Sequence, residues 1–214
     1  MKKLLSLILV LTAILTLTAC SNINEDEETL KRQACALIEK SLILNNIYWG
    51  KGLSPLPGEQ KLSYDHNYSK ADVSQVEKYG ITNMQTLKEY TQGVYTQNEC
   101  DNIFGTYLTQ SSYTGTFGEY TYTEVYTRYL SDMSGDLFVR EKKDDLIGDS
   151  IVEYDYDSVR IKKIKRNTVE FEIDVTVKNS DDETGYRETL PLQMRKENGS
   201  FRLNTPTYCV YDKR

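Results

Sequence analysis

Val169-Glu170-Phe171-Glu172-Ile173-Asp174-Val175-Thr176-Val177 alternates an apolar residue with an acid or a hydroxyl over nine positions. Successive strand residues point to opposite faces, so this stretch predicts an antiparallel strand with one face buried and one wet. Upstream, Val159 to Ile164 makes a partner strand across the Arg166-Asn167 turn. Downstream, the polar stretch Asn179–Gly185 leads to Tyr186–Arg195, with Leu190, Leu192 and Met194 on its apolar side. Asn198-Gly199 is a two-residue hairpin signal, Phe201 and Leu203 continue the inward face, and Pro206 closes the run.

Before this meander the period changes to that of helices. Leu30, Ala34, Leu37, Ile38 and Leu44 recur at three- and four-residue steps and predict an amphipathic helix over 29–48. Trp49-Gly50-Lys51-Gly52 and Pro55-Leu56-Pro57-Gly58 break it, giving a loop to about Gln60. Thr82 with Gln85, and Thr96 with Glu99, have capping-box spacing, which predicts helices over about 83–94 and 97–109. The second places Cys100, Ile103, Phe104, Tyr107 and Leu108 on one face. From Tyr113 the period is two, with strands over 119–130 and 136–141 around the turn Asp132-Met133-Ser134-Gly135. Helices followed by a meander with one wet face give an α+β fold: N-terminal helices packed on a curved antiparallel sheet, in a single domain over 29–214.

The 214 residues carry 39% hydrophobic and 27% charged side chains and a formal net charge of −6. That balance is globular, and it excludes the basic footprint of a general nucleic-acid binder. One histidine excludes any site that needs two imidazoles.

Met1-Lys2-Lys3 and the apolar run Leu4–Leu17 describe an export signal too short for a comfortable span of ~20 residues. It closes on Leu17-Thr18-Ala19-Cys20, which resembles the lipobox of bacterial lipoproteins. The resemblance implies cleavage after Ala19, a diacylglycerol thioether on Cys20, and anchoring at the outer face of the cell membrane. Loss of Lys2 and Lys3 with the signal takes the net charge from −6 to −8. Residues 20–28 form a short acidic tether. Its Glu25-Asp26-Glu27-Glu28 run should be repelled by anionic lipid, holding the domain off the surface, and can at the same time complement a helix start.

The remaining cysteines are Cys35, Cys100 and Cys209, an odd number that allows one disulfide and one free thiol. Cys35 and Cys100 fall on apolar helix faces, where a buried free thiol is the simpler expectation. His66, in Tyr64-Asp65-His66-Asn67-Tyr68, is the one candidate general base, with Asp65 to orient it and Cys100 as a conceivable nucleophile. Glu153, Asp155 and Asp157 alternate with Tyr154 and Tyr156. Three carboxylates on one strand face suit calcium, but cross-strand pairing with Arg160, Lys162 and Lys163 explains them more simply. No metal or cofactor is expected.

Tyr107, Tyr113, Tyr120, Tyr122, Tyr126 and Tyr129 place six of the 17 tyrosines within 23 residues. Tyrosine combines an apolar ring with a polar tip, so Tyr120, Tyr122 and Tyr126 make a candidate partner-binding patch. Interleaved with Thr, the same residues suit a plain twisted sheet.

Tyr79-Gly80-Ile81-Thr82, Leu87-Lys88-Glu89-Tyr90, Asp136–Arg140 and the closing Arg195-Lys196-Glu197-Asn198-Gly199-Ser200-Phe201-Arg202-Leu203 together resemble the bacterial DL-endopeptidase inhibitor (IseA-like) proteins. More loosely they resemble NTF2-like domains, which share that closing hairpin. Phe201 stands where such hairpins often carry Trp, and the Tyr-rich segment near 111–130 has no counterpart. The resemblance implies an NTF2-like or cystatin-like cone. It also implies a non-enzymatic protein that binds cell-wall hydrolases of the NlpC/P60 type. The expectation is therefore a membrane-anchored extracytoplasmic binding or inhibitor module. The alternatives are a small enzyme using His66 or the acid pair Asp155 and Asp157, and a structural envelope lipoprotein.

Overall fold

Val169, Phe171, Ile173, Val175 and Val177 are at most 1% exposed, and the residues between them are only half-buried. The alternation therefore places its apolar face in the core as expected. The computed structural model describes residues 23–58, 61–109, 111–117, 120–140, 150–179 and 185–208, and between 111 and 126 the backbone alone.

In chain order the described elements begin with helix α1 (Glu27–Tyr48), strands β1 (Lys61–Leu62) and β2 (Asp65–Lys70), and a 3-10 turn, Glu77–Tyr79. Helices α2 (Met84–Val94) and α3 (Gln97–Tyr107) follow, then β3 (Ser111–Phe117), β4 (Tyr120–Tyr126), β5 (Tyr129–Ser131) and β6 (Leu137–Arg140). The chain closes with β7 (Ser150–Ile164), β8 (Thr168–Asn179), β9 (Gly185–Glu197) and β10 (Ser200–Leu203). The fold is α+β. The antiparallel meander forms one sheet in the order β10-β9-β8-β7; a second runs β1-β2-β6-β5; β3 and β4 pair as a separate hairpin.

The meander follows its local code closely. Phe171 stands opposite Leu192, Ile173 opposite Leu190, and Val169 opposite Met194. The β9–β10 turn has Asn198 at φ 51° and Gly199 at φ 82°, the double positive φ of a type I′ hairpin. Strand β10 meets the helices, where Thr96 N–H donates to Leu203 O at 2.8 Å.

Four expectations are corrected. The strand expected over 119–130 is two strands in different sheets, because β4 ends at Tyr126 and Arg128 turns the chain before β5. The loop and the run after it include β1 and β2, whose polar sequence Asp65-His66-Asn67-Tyr68-Ser69-Lys70 hides the period. The cap of α2 is Asn83, not Thr82: the Asn83 side chain accepts from Thr86 N, and Thr86 Oγ1 accepts from Asn83 N. Arg160, Lys162 and Lys163 lie on the same long strand as Glu153, Asp155 and Asp157, so they are not partners across a ladder. Glu153 pairs instead with Lys178 and Asp155 with Arg187, while Arg160 pairs with Asp174.

Helix α1 starts at Glu27, with Asp26 Oδ1 accepting from Thr29 N at 2.8 Å. Glu27 and Glu28 both pair with Lys31, so the acids of this segment serve the helix start. The helix buries Leu30, Ala34, Leu37, Ile38 and Leu44 against the meander. Its direction opposes β7: Ile23 meets Arg166, Cys35 meets Tyr156 and Asn45 meets Tyr154. No described helix is long and apolar enough to cross a membrane.

Candidate functional site

A groove opens where the second half of α1 passes the first residues of β7, enclosing about 330 Å³. Small-molecule sites start at about this size. Leu42, Asn45 and Asn46 line it from α1, and Ser150, Ile151, Val152 and Tyr154 from β7. Gly50, Lys51 and Tyr208 complete it. Leu42 and Ile151 are 39% and 48% exposed, so the apolar walls reach the surface. Among the described residues of the lining, Lys51 is the one charged side chain.

Beneath the groove lies a buried polar chain. Ser41 Oγ donates to Ile38 O at 2.6 Å, as a helical serine can, and so accepts from Thr207 Oγ1 at 2.7 Å. Thr207 in turn accepts from Asn45 Nδ2 at 2.9 Å. The Tyr154 hydroxyl accepts from Asn45 Nδ2 at 3.1 Å and donates to Thr207 O at 2.7 Å. Ser41 and Thr207 are fully buried. Each donor in this chain has an acceptor, which makes a buried polar network rigid rather than costly. Its effect is to fix the Tyr154 ring and the segment around Thr207 against α1. The next residue, Tyr208, stacks on Trp49 at 6.1 Å with the rings 12° from parallel.

The rim is held just as firmly. Arg128 is 8% exposed and donates to Tyr48 O at 2.7 Å and Gly50 O at 2.5 Å. A guanidinium on the last carbonyls of a helix satisfies acceptors the helix cannot, and opposes the negative end of its dipole. Tyr129 donates from its hydroxyl to Ile47 O and accepts from Leu53 N, both at 3.0 Å. Gly52 sits at φ +73°, and a Cβ there would come within 2.4 Å of the Arg128 guanidinium. Lys51 is thus presented by a loop clamped on both sides.

The expected site residues are scattered. His66 is exposed on β2, and Asp65 Oδ1 is occupied by the backbone and side-chain N–H groups of Asn67, so Asp65 does not orient the imidazole. Cys100 is fully buried, and burial pushes its thiol up to about 12. Cys35 is half-buried, with its thiol also raised by burial. Among the described residues no group of three His, Cys, Asp or Glu is placed to hold a metal. Tyr129 is fully buried, and Tyr107 packs on Tyr48 and Trp49, so the six-tyrosine cluster is not one surface. Tyr120, Tyr122 and Tyr126 lie on β4, whose side chains fall outside the described residues, as do Cys20, the signal segment and Cys209.

Asn45, Tyr154, Thr207 and Lys51 were missed at the level of sequence. One signal was available: Ser41 and Asn45 interrupt the apolar stripe of α1 at four-residue spacing, and polar residues on a buried face need partners. No known family model matches the chain, and no curated protein matches it.

Proposed function

We propose that the protein is a lipid-anchored, extracytoplasmic binding module that takes its ligand in the groove between α1 and β7. One observation carries this reading. The groove has exposed apolar walls on a floor held by a buried hydrogen-bonded network of Asn45, Tyr154 and Thr207, the combination expected of a preformed recognition site rather than a mobile one. The catalytic alternatives are less well supplied. The Cys100 thiol stays protonated at neutral pH, Asp65 Oδ1 is engaged by Asn67, and Asp155 is tied to Arg187.

The finer reading is an NTF2-like or cystatin-like cone that inhibits a cell-wall DL-endopeptidase of the NlpC/P60 type. A helix laid against a four-stranded antiparallel meander supports the cone part of it. The test is a titration of such a hydrolase with the purified chain. Stoichiometric inhibition that survives His66→Ala and is weakened by Leu42→Glu supports the reading. Inhibition lost on replacing Tyr120 and Tyr122, but indifferent to Leu42→Glu, moves the site to the β4 patch. Turnover of substrate by the protein alone, abolished by His66→Ala, replaces the binding reading with an enzymatic one.

A further inference from the structure

The start of the described chain is pinned to one end of the meander. Ile23 N–H donates to Arg166 O at 3.2 Å, in the turn between β7 and β8, and the Ile23 side chain packs against the core. Glu25 pairs with Lys196 at 2.6 Å, with the two side chains only 23% and 14% exposed. Cys20 precedes Ile23 by three residues, and three residues of chain span at most about 11 Å. A lipid on Cys20 therefore holds the β7–β8 turn within that reach of the bilayer surface.

The charges at this end divide unequally between used and unused. The acids are engaged: Glu25 by Lys196, Asp26 by Thr29, and Glu27 and Glu28 by Lys31. Glu170 pairs with Lys165 and is shared with the charge of Lys163. Arg166 and Arg195 are exposed and make no ion pair among the described residues. Ile164, 48% exposed, lies at the same end of the meander but in register with Val169 of the core face, whereas Lys163 and Arg195 stand opposite Glu170 and Thr168 of the wet face. Exposed cations close to a short lipid tether match the chemistry of an anionic headgroup layer.

We propose that Lys163, Arg166 and Arg195 form a surface that rests on the phosphates of anionic lipid and stands the domain upright on its anchor. The proposal rests on the lipid-anchored reading of Cys20. The acids of the tether are engaged by Lys196, Thr29 and Lys31, which weakens the repulsion from anionic lipid expected of them. The surface also orients the groove. Helix α1 rises about 1.5 Å per residue, so Leu42 stands roughly 20 Å along its axis from Glu27, away from the bilayer.

The experiment uses the mature chain purified from a lipoprotein-processing host, with lipid on Cys20 checked by mass of the N-terminal peptide. It is reconstituted into vesicles of phosphatidylcholine, with or without phosphatidylglycerol, that contain a headgroup-spin-labelled lipid. Amide line broadening is then compared between residues 163–167 and residues 50–53. The expected result is broadening several-fold greater at 163–167, increased further by phosphatidylglycerol, with that increase lost in the combined variant Lys163→Gln, Arg166→Gln, Arg195→Gln. These three side chains are exposed, so the variant keeps the core intact. Equal broadening at both places in a lipidated chain, or no response to the triple variant, overturns the surface alone. A Cys20 peptide without lipid overturns the anchor, and the surface with it.

Discussion

The two four-stranded sheets hold together by different means. In β7–β10 the core face is made of aliphatic and aromatic side chains that alternate along each strand, with ion pairs on the wet face. In β1-β2-β6-β5 the strands are two to six residues long, and tyrosine hydroxyls reach out of the ladder to distant carbonyls. Tyr68 donates to Thr127 O at 2.6 Å and Tyr129 to Ile47 O, and Arg128, just before β5, grips the end of α1. The first sheet is specified by local period, the second by polar tips that find partners far away in the chain. The difference matters for the groove, because one wall belongs to the first sheet and the rim is held by the second.

The contrast yields a graded set of expectations. Phe171→Ala should have the largest effect, about 3–5 kcal/mol of stability by denaturant unfolding, because a fully buried ring leaves a cavity. Arg128→Met should cost about 2–4 kcal/mol, since two charge-assisted hydrogen bonds to buried carbonyls disappear together. It should also loosen the loop carrying Lys51, seen as faster amide exchange at Gly50 and Gly52. Tyr129→Phe removes one hydroxyl but strands both Ile47 O and Leu53 N, so about 1–3 kcal/mol is expected. If Arg128→Met and Tyr129→Phe were neutral, the second sheet would rest on apolar packing like the first, and the comparison would fail. Glu172→Ala, on the wet face of β8, should cost less than about 1 kcal/mol, since its pairs with Arg160 and Lys162 are solvent-exposed.

The smallest effect is in titration. The Arg160 guanidinium and the Thr189 hydroxyl hold the Asp174 carboxyl down at about 2. A depressed folded-state pKa means that this contribution is present above the ordinary carboxylate range and is lost as pH falls from that range toward 2. Carboxyl NMR should show Asp174 titrating near 2, and moving back up toward the usual range in Arg160→Met.

What was legible in the sequence follows the same division. The strand around Phe171, the Asn198-Gly199 hairpin and the Thr96 cap could be read because a few neighbouring residues decide each of them. The splitting of 119–130 into two sheets could not, because it depends on the Arg128 side chain meeting carbonyls 78 and 80 residues earlier. The groove was hidden for a related reason. Asn45 and Thr207 are 162 residues apart, and neither carries a motif. Of the site, only the polar interruptions of α1 left a local trace.

The most direct test of the groove is site-specific photo-crosslinking of the full chain in its native host cells, with the reactive side chain placed at Leu42 or at Tyr64. Both positions are exposed, but only Leu42 lines the groove. A discrete adduct at Leu42, absent at Tyr64 and diminished by Lys51→Glu, is the predicted result. The same adduct at Tyr64 with none at Leu42 would contradict the assignment of the groove as the binding site.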